Sequence, residues 1–204
     1  TGWMENVVFK YNRVWDACGG LFLSHCDNMV LVNVLFDNND ASFGNGLLNP
    51  NPYGLSFVNR WCGALFAEVT VAELINCTFA SINVADSGSG IVCDSSTLHI
   101  VNSIFDELEF MRLGNPNIAP SYIHFEYCNT WHCTRRPASW FLQYSHTMHH
   151  DPMFGSSYHL QFGSPCIDAG DNNFVHSNVL WDLDLQSRIV GSAVDMGAYE
   201  WQYK

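Results

Sequence analysis

The sequence predicts an all-β fold: a right-handed parallel β-helix (a solenoid) of roughly five or six coils closed by a C-terminal capping segment. Three observations predict it. The pattern N-x-x-F recurs at a nearly constant spacing, a second landmark precedes it at a fixed distance, and short β-type runs fill the space between them.

The first landmark occurs as Asn6-Val7-Val8-Phe9, Asn33-Val34-Leu35-Phe36, Asn76-Cys77-Thr78-Phe79 and Asn102-Ser103-Ile104-Phe105, in steps of 27, 43 and 26 residues. A further 26 residues on, Cys128-Asn129-Thr130-Trp131 keeps the aromatic and replaces the Asn. The long step reads as one coil plus an inserted loop over the turn-rich stretch Phe43–Tyr53. The second landmark is Cys18-Gly19-Gly20-Leu21-Phe22, matched by Cys62-Gly63-Ala64-Leu65-Phe66 and more loosely by Ser89-Gly90-Ile91-Val92. Met29–Leu35, Val69–Ile75 and Leu98–Ile104 are rich in Val, Ile, Leu and Thr and bounded by Gly, Asn, Asp and Ser, which is strand chemistry. No i, i+3, i+4, i+7 apolar pattern is sustained, so long helices are not expected.

Strands recurring every coil stack at about 4.8 Å, which piles equivalent residues into ladders. Phe9, Phe36, Phe79 and Phe105 are expected inside, and Asn6, Asn33, Asn76 and Asn102 are expected to bond one another through their amides. Asn76-Cys77-Thr78 is formally an acceptor for an N-linked glycan, but a rung of a ladder has its amide engaged. The competing arrangement is an all-β sandwich, which also has short strands at regular spacing. The coils span residues 1–140 and a second text fills 141–204, within a single structural domain.

Composition narrows the function. Eight basic residues against twenty acidic ones give a formal charge of −12, a field that repels phosphate backbones and excludes nucleic acid as a partner. No apolar run is long enough for a membrane-spanning helix. The N-terminus has no initiator Met or leader and reads as a processed or trimmed chain. Eight cysteines without a C-x-x-C pair disfavour zinc and thioredoxin-type chemistry and favour an exported, oxidising setting. Cys18 and Cys62 share a landmark in adjacent coils and fall within disulfide reach, while Cys128 and Cys133 could close a small loop. Cys26, Cys77, Cys93 and Cys166 carry no connectivity signal.

The tail reads Asp151-Pro152-Met153-Phe154, Tyr158-His159-Leu160-Gln161-Phe162-Gly163-Ser164-Pro165-Cys166-Ile167-Asp168-Ala169-Gly170, then Asp182-Leu183-Asp184, Arg188 and Asp195-Met196-Gly197-Ala198-Tyr199-Glu200. It resembles the closing region of bacterial secreted right-handed β-helix proteins called choice-of-anchor Q proteins. Their pattern is D-P-x-F, Y-H-L-x-x-G-S-P-x-I-D-A-G, D-x-D, R and D-x-G-A-Y-E. This chain departs from it at Phe162, at Cys166 and at Gln186-Ser187. The resemblance implies an extracellular or cell-surface protein of Gram-negative type and supplies no activity. Only four residues follow Glu200, so a cleaved anchor or retention by other chains is expected.

Asp182, Asp184, Asp195 and Glu200 surround the lone Arg188 of the tail, and a guanidinium can take two carboxylates in fork geometry. This predicts a partly buried ion network, with a Ca²⁺ site as the second reading. His146, His149, His150 and Asp151 contain metal-ligand types but read as a loop, so no metal and no cofactor are expected. Hydrolase or lyase chemistry needs paired carboxylates, or a basic residue with Ca²⁺, in a groove. Asp86, Asp94, Asp106, Glu107 and Glu109 read as turn residues first, and no catalytic residue is assigned.

The favoured function is a structural or adhesive extracellular protein without catalysis, which pairs with copies of itself or other extracellular proteins because solenoid ends leave unpaired strand edges. The rival is a carbohydrate-active or glycan-binding module of a longer secreted protein, with the seven Trp residues as candidate sugar platforms.

Overall fold

The computed structural model describes residues 1–14, 18–41, 62–82, 89–113, 121–136 and 142–202. The fold is all-β, built from parallel sheets, with no α-helix among the described residues. The strands are β1 (Gly2–Lys10), β2 (Leu21–Ser24), β3 (Met29–Asp37), β4 (Cys62–Glu68), β5 (Val71–Ile75), β6 (Thr78–Ala80) and β7 (Ser89–Asp94), followed by β8 (Thr97–Val101), β9 (Ile104–Asp106), β10 (Glu109–Leu113), β11 (Tyr122–Glu126), β12 (Asn129–Trp131), β13 (Thr134–Arg136) and β14 (Leu142–Ser145). The inserted loop expected over Phe43–Tyr53 lies outside the described residues, as do Asp86, Trp15, Trp61 and Trp140.

The strands fall into three columns. One runs β2-β4-β7-β10-β13; a second runs β1-β3-β5-β8-β11-β14; the third takes the later halves of β1 and β3 and continues β6-β9-β12. From β2 onward the chain visits the columns in one order throughout, and every named strand pair is parallel. β14 pairs with β11, and Met148 bridges to Asn129, so the layered part continues past residue 140.

The corner between the second and third columns explains the recurring Asn. Asn6, Asn33, Asn76 and Asn102 all have positive φ, between 48° and 55°. The left-handed region costs other L-residues roughly 1–2 kcal/mol, and Asn is among the few that enter it readily. The chain bends there and enters the third column, which places the Phe three residues later inside. Phe9, Phe36, Phe79 and Phe105 stack face to face, with centroids 5.0, 4.5 and 4.8 Å apart and planes within 15°. Phe125 and Phe110 meet Phe105 edge-on and close the stack.

The fifth rung differs from the expectation by one residue. Asn129, Thr130 and Trp131 pair with Ile104, Phe105 and Asp106, so Tyr127 takes the corner after Asn102, with φ of 48°. Trp131 is therefore outside the Phe ladder. Cys128-Asn129-Thr130-Trp131 imitates the landmark but is shifted out of register.

Disulfides are not formed. All eight cysteines are thiols outside any disulfide. Cys18 and Cys62 do sit opposite each other in a parallel bridge, as the landmark predicted, but as thiols. Cys18 Sγ donates to Leu21 and Ala64 carbonyls and Cys62 Sγ to that of Gly90. Cys128 Sγ bonds the Ile100 and Glu126 carbonyls and Cys133 Sγ those of Phe105 and Trp131, each serving backbone of its own and a neighbouring strand instead of the other thiol. Burial pushes Cys77, Cys128, Cys133 and Cys166 up to about 12, which leaves them as inert thiols.

Candidate functional site

Two side-chain systems stand outside the apolar core. The first locks the tail to the layers. After Met148 the chain runs back along the corner of the stack instead of capping only its last layers, and the corner amides hold it. Asn33 Nδ2 donates to the Trp181 carbonyl at 2.7 Å and to Asn6 Oδ1 at 2.9 Å. Asn76 Nδ2 donates to the Asp195 carbonyl at 2.9 Å. Asn102 pairs with the Asp171 backbone through both its amide N and its amide O, and Asn129 does the same with His150. The amide-to-amide ladder is thus confined to Asn6 and Asn33; the other two corners bond the tail. Asn76 is fully buried, with its Nδ2 engaged by the Asp195 and Asn102 carbonyls.

The tail residues resolve into specific duties. Arg188, 1% exposed, is the largest fully buried side chain among the described residues. Its Nη2 meets Glu200 at 2.9 Å and the Asp195 carbonyl, while Nη1 reaches Asn33 Oδ1 and the carbonyls of Gly197 and Ala198. Burial raises Glu200 to about 7 against the pull of Arg188. Glu200 is the only carboxylate in ion-pair contact with Arg188 among the described residues, a correction to the expected network. Asp182 instead accepts the backbone N–H groups of Asp184, Gln186 and Glu200, and Asp195 those of Asp168 and Trp201. Asp184 is at the surface against His159 at 2.6 Å. These carboxylates accept from separate donors, and among the described residues they do not converge as one group of ligand oxygens. Gly197 has φ of +94° and a Cβ there would meet Thr78, and a Cβ on Gly170 would strike Asn102 and Val194. Tyr158 OH donates to Asp37 at 2.7 Å, and Ala198 N to Thr78.

His146, His149 and His150 do not converge. His146 bonds Ser145 and stacks on Tyr127, His149 bonds Thr130, and His150 engages Asn129 through its backbone. Trp3, Trp131 and Trp201 contact His176, His132 and Phe162 respectively, and do not form one row. Of the carboxylates expected in turns, Asp94, Asp106 and Glu109 instead lie in β7, β9 and β10, and Asp106 is raised by burial and by neighbouring Glu107 and Asp151.

The second system lies on the outer face of the second column. In-register pairing places Glu73, His99 and His124 side by side on β5, β8 and β11, with Glu126 two residues beyond His124 on the same face. His99 and His124 stack at 5.2 Å with planes 19° apart. His99 Nε2 is 3.2 Å from Glu126 and Nδ1 is 3.7 Å from Glu73. The Glu73 contact first, then Glu126, raises His99 above the usual imidazole value, while its own burial opposes. From the tail, Phe174 meets His99 edge-on and His176 approaches Glu73 at 3.8 Å.

The sequence contained a signal for this set. Leu98-His99-Ile100 and Ile123-His124-Phe125 share one alternation, 25 residues apart. Aligning Asn102 with Cys128 hides the match, and aligning it with Tyr127 brings the two histidines together.

No family model matches the chain, and neither a curated protein nor a solved structure shows significant similarity to it.

Proposed function

We propose that the chain is a right-handed parallel β-helix of the choice-of-anchor Q type, exported to the cell surface or beyond. It acts there as a non-catalytic structural or adhesive element that stacks head to tail with copies of itself. The fixed order in which the chain visits three parallel columns supports the solenoid, and parallel crossovers are right-handed in about 98% of cases. The tail residues shape the segment through Asp182, Asp195 and Arg188 and tie it to the strands at Asn33, Asn76 and Asn102, which supports a structural reading of the family-type pattern.

The observation that carries the assembly is the condition of the ends. Among the described strands, β1 and β2 at one end and β13 and β14 at the other each have a strand neighbour on one side only, while the second side of β12 is bridged by Met148. The first end presents apolar side chains to solvent: Trp3 at 43%, Val8 at 46% and Phe22 at 54% exposure. Exposed apolar edge strands are templates for pairing. Because all strands point the same way, a second copy placed head to tail continues the same parallel ladder, and such a heterologous contact propagates. Sedimentation velocity across a concentration series tests this. Growing species that collapse to monomer in Phe22→Glu and Val8→Lys are expected; a monomer at every concentration overturns the reading.

A further inference from the structure

The outer-face cluster shares none of its three ligand residues with the assembly edges or the tail lock. We propose that His99, His124 and Glu126 form a binding site for a divalent transition-metal ion of the Zn²⁺ type, with Glu73 as the positioning residue behind His99. One ligand atom from each of the three lies within 4.8 Å of the others. An ion at the centre of a triangle with that edge stands about 2.8 Å from each atom, so a side-chain adjustment of about 0.7 Å reaches the 2.0–2.1 Å of a Zn–N bond.

Three features separate this set from a chance grouping. The two imidazoles are presented by adjacent in-register strands, so the backbone fixes their separation and near-parallel rings. The ligand types suit the ion: imidazole and carboxylate are its usual N and O donors. The ring of His99 is addressed from both sides: Nε2 faces Glu126, the ligand side, while Nδ1 faces Glu73 at 3.7 Å. A carboxylate behind the distal nitrogen holds a ligating histidine in the tautomer that keeps its other nitrogen free for metal. Glu73 is steadied in turn by His176 at 3.8 Å, which Trp3 meets edge-on. All three ligands are partly exposed, so an ion has an entry path and keeps a coordination position for water or a donor from a bound molecule. The net charge of −12 draws cations to the surface.

Titration calorimetry with Zn²⁺, alongside Co²⁺ visible spectra, tests the site on the full chain. Wild type is expected to bind one Zn²⁺ that His124→Ala and Glu126→Gln each weaken at least tenfold, with loss of the Co²⁺ absorption. Glu73→Gln is expected to weaken it about 10–100-fold, as lost support behind a ligand does. His159→Ala, at a separate surface histidine, is expected to leave it unchanged. Circular dichroism on each variant separates a lost ligand from a lost fold. Equal Zn²⁺ binding by wild type, His124→Ala and Glu126→Gln, or no binding by wild type, overturns the proposal.

Discussion

Replacing Arg188 with methionine removes the charged centre of the tail lock while keeping much of its apolar length. The guanidinium, 1% exposed, gives up its ion pair to Glu200 and its bonds to Asn33 and to the carbonyls of Asp195, Gly197 and Ala198. Removing one partner of a buried pair leaves the other charge uncompensated, at a cost of about 3–5 kcal/mol. With a urea slope of about 2 kcal/mol per molar, the unfolding midpoint falls by roughly 1.5–2.5 M. Equilibrium urea unfolding followed by tryptophan fluorescence reads the shift. Arg188→Met with Glu200→Leu removes both charges and is expected to recover much of the loss. A single-variant loss below about 1 kcal/mol, or a double variant no better than the single, refutes the lock.

Further outcomes follow from the corners, the thiols and the Asp37 contact. Asn76→Ala pays for a left-handed φ and loses the bond to Asp195, together about 2–3 kcal/mol in thermal or urea unfolding, and Asn76→Gly recovers the backbone part. Alkylation with mass spectrometry is expected to modify Cys77, Cys128, Cys133 and Cys166 only after denaturation, since burial raises their thiols to about 12, and to reach all eight cysteines once the chain is unfolded. Asp37 is buried, which raises its pKa, but Lys10, Tyr158 and Asn38 hold it below the usual value in total. A depressed folded value stabilises above the unfolded pKa of about 3.9 and is lost as pH falls through the folded value. Acid unfolding of wild type against Asp37→Asn is therefore expected to show a gap that closes below about pH 4.

The all-β fold with parallel strands was legible because corner geometry is local. A left-handed φ selects Asn at the corners Asn6, Asn33, Asn76 and Asn102, and the interior selects Phe three residues on, so the repeat surfaces as N-x-x-F. Where the corner is Tyr127 instead of Asn, the adjacent Cys128-Asn129-Thr130-Trp131 offered a false match and the register slipped by one. The second duty of the Asn residues was not legible, because their partners Trp181 and Asp195 lie 148 and 119 residues away and spacing carries no trace of such contacts. Charge alone grouped Asp182, Asp184, Asp195 and Glu200 around Arg188; which of them face the guanidinium and which cap backbone N–H groups depends on the path of the tail. The histidine cluster needed the correct register before its columns could line up.

Electron microscopy of concentrated protein tests the central claim of end-to-end stacking most directly. Five to six layers at a strand spacing of about 4.8 Å predict filaments with an axial repeat of about 24–29 Å per copy. Dispersed particles at every concentration, or filaments whose repeat departs from that spacing, would contradict it.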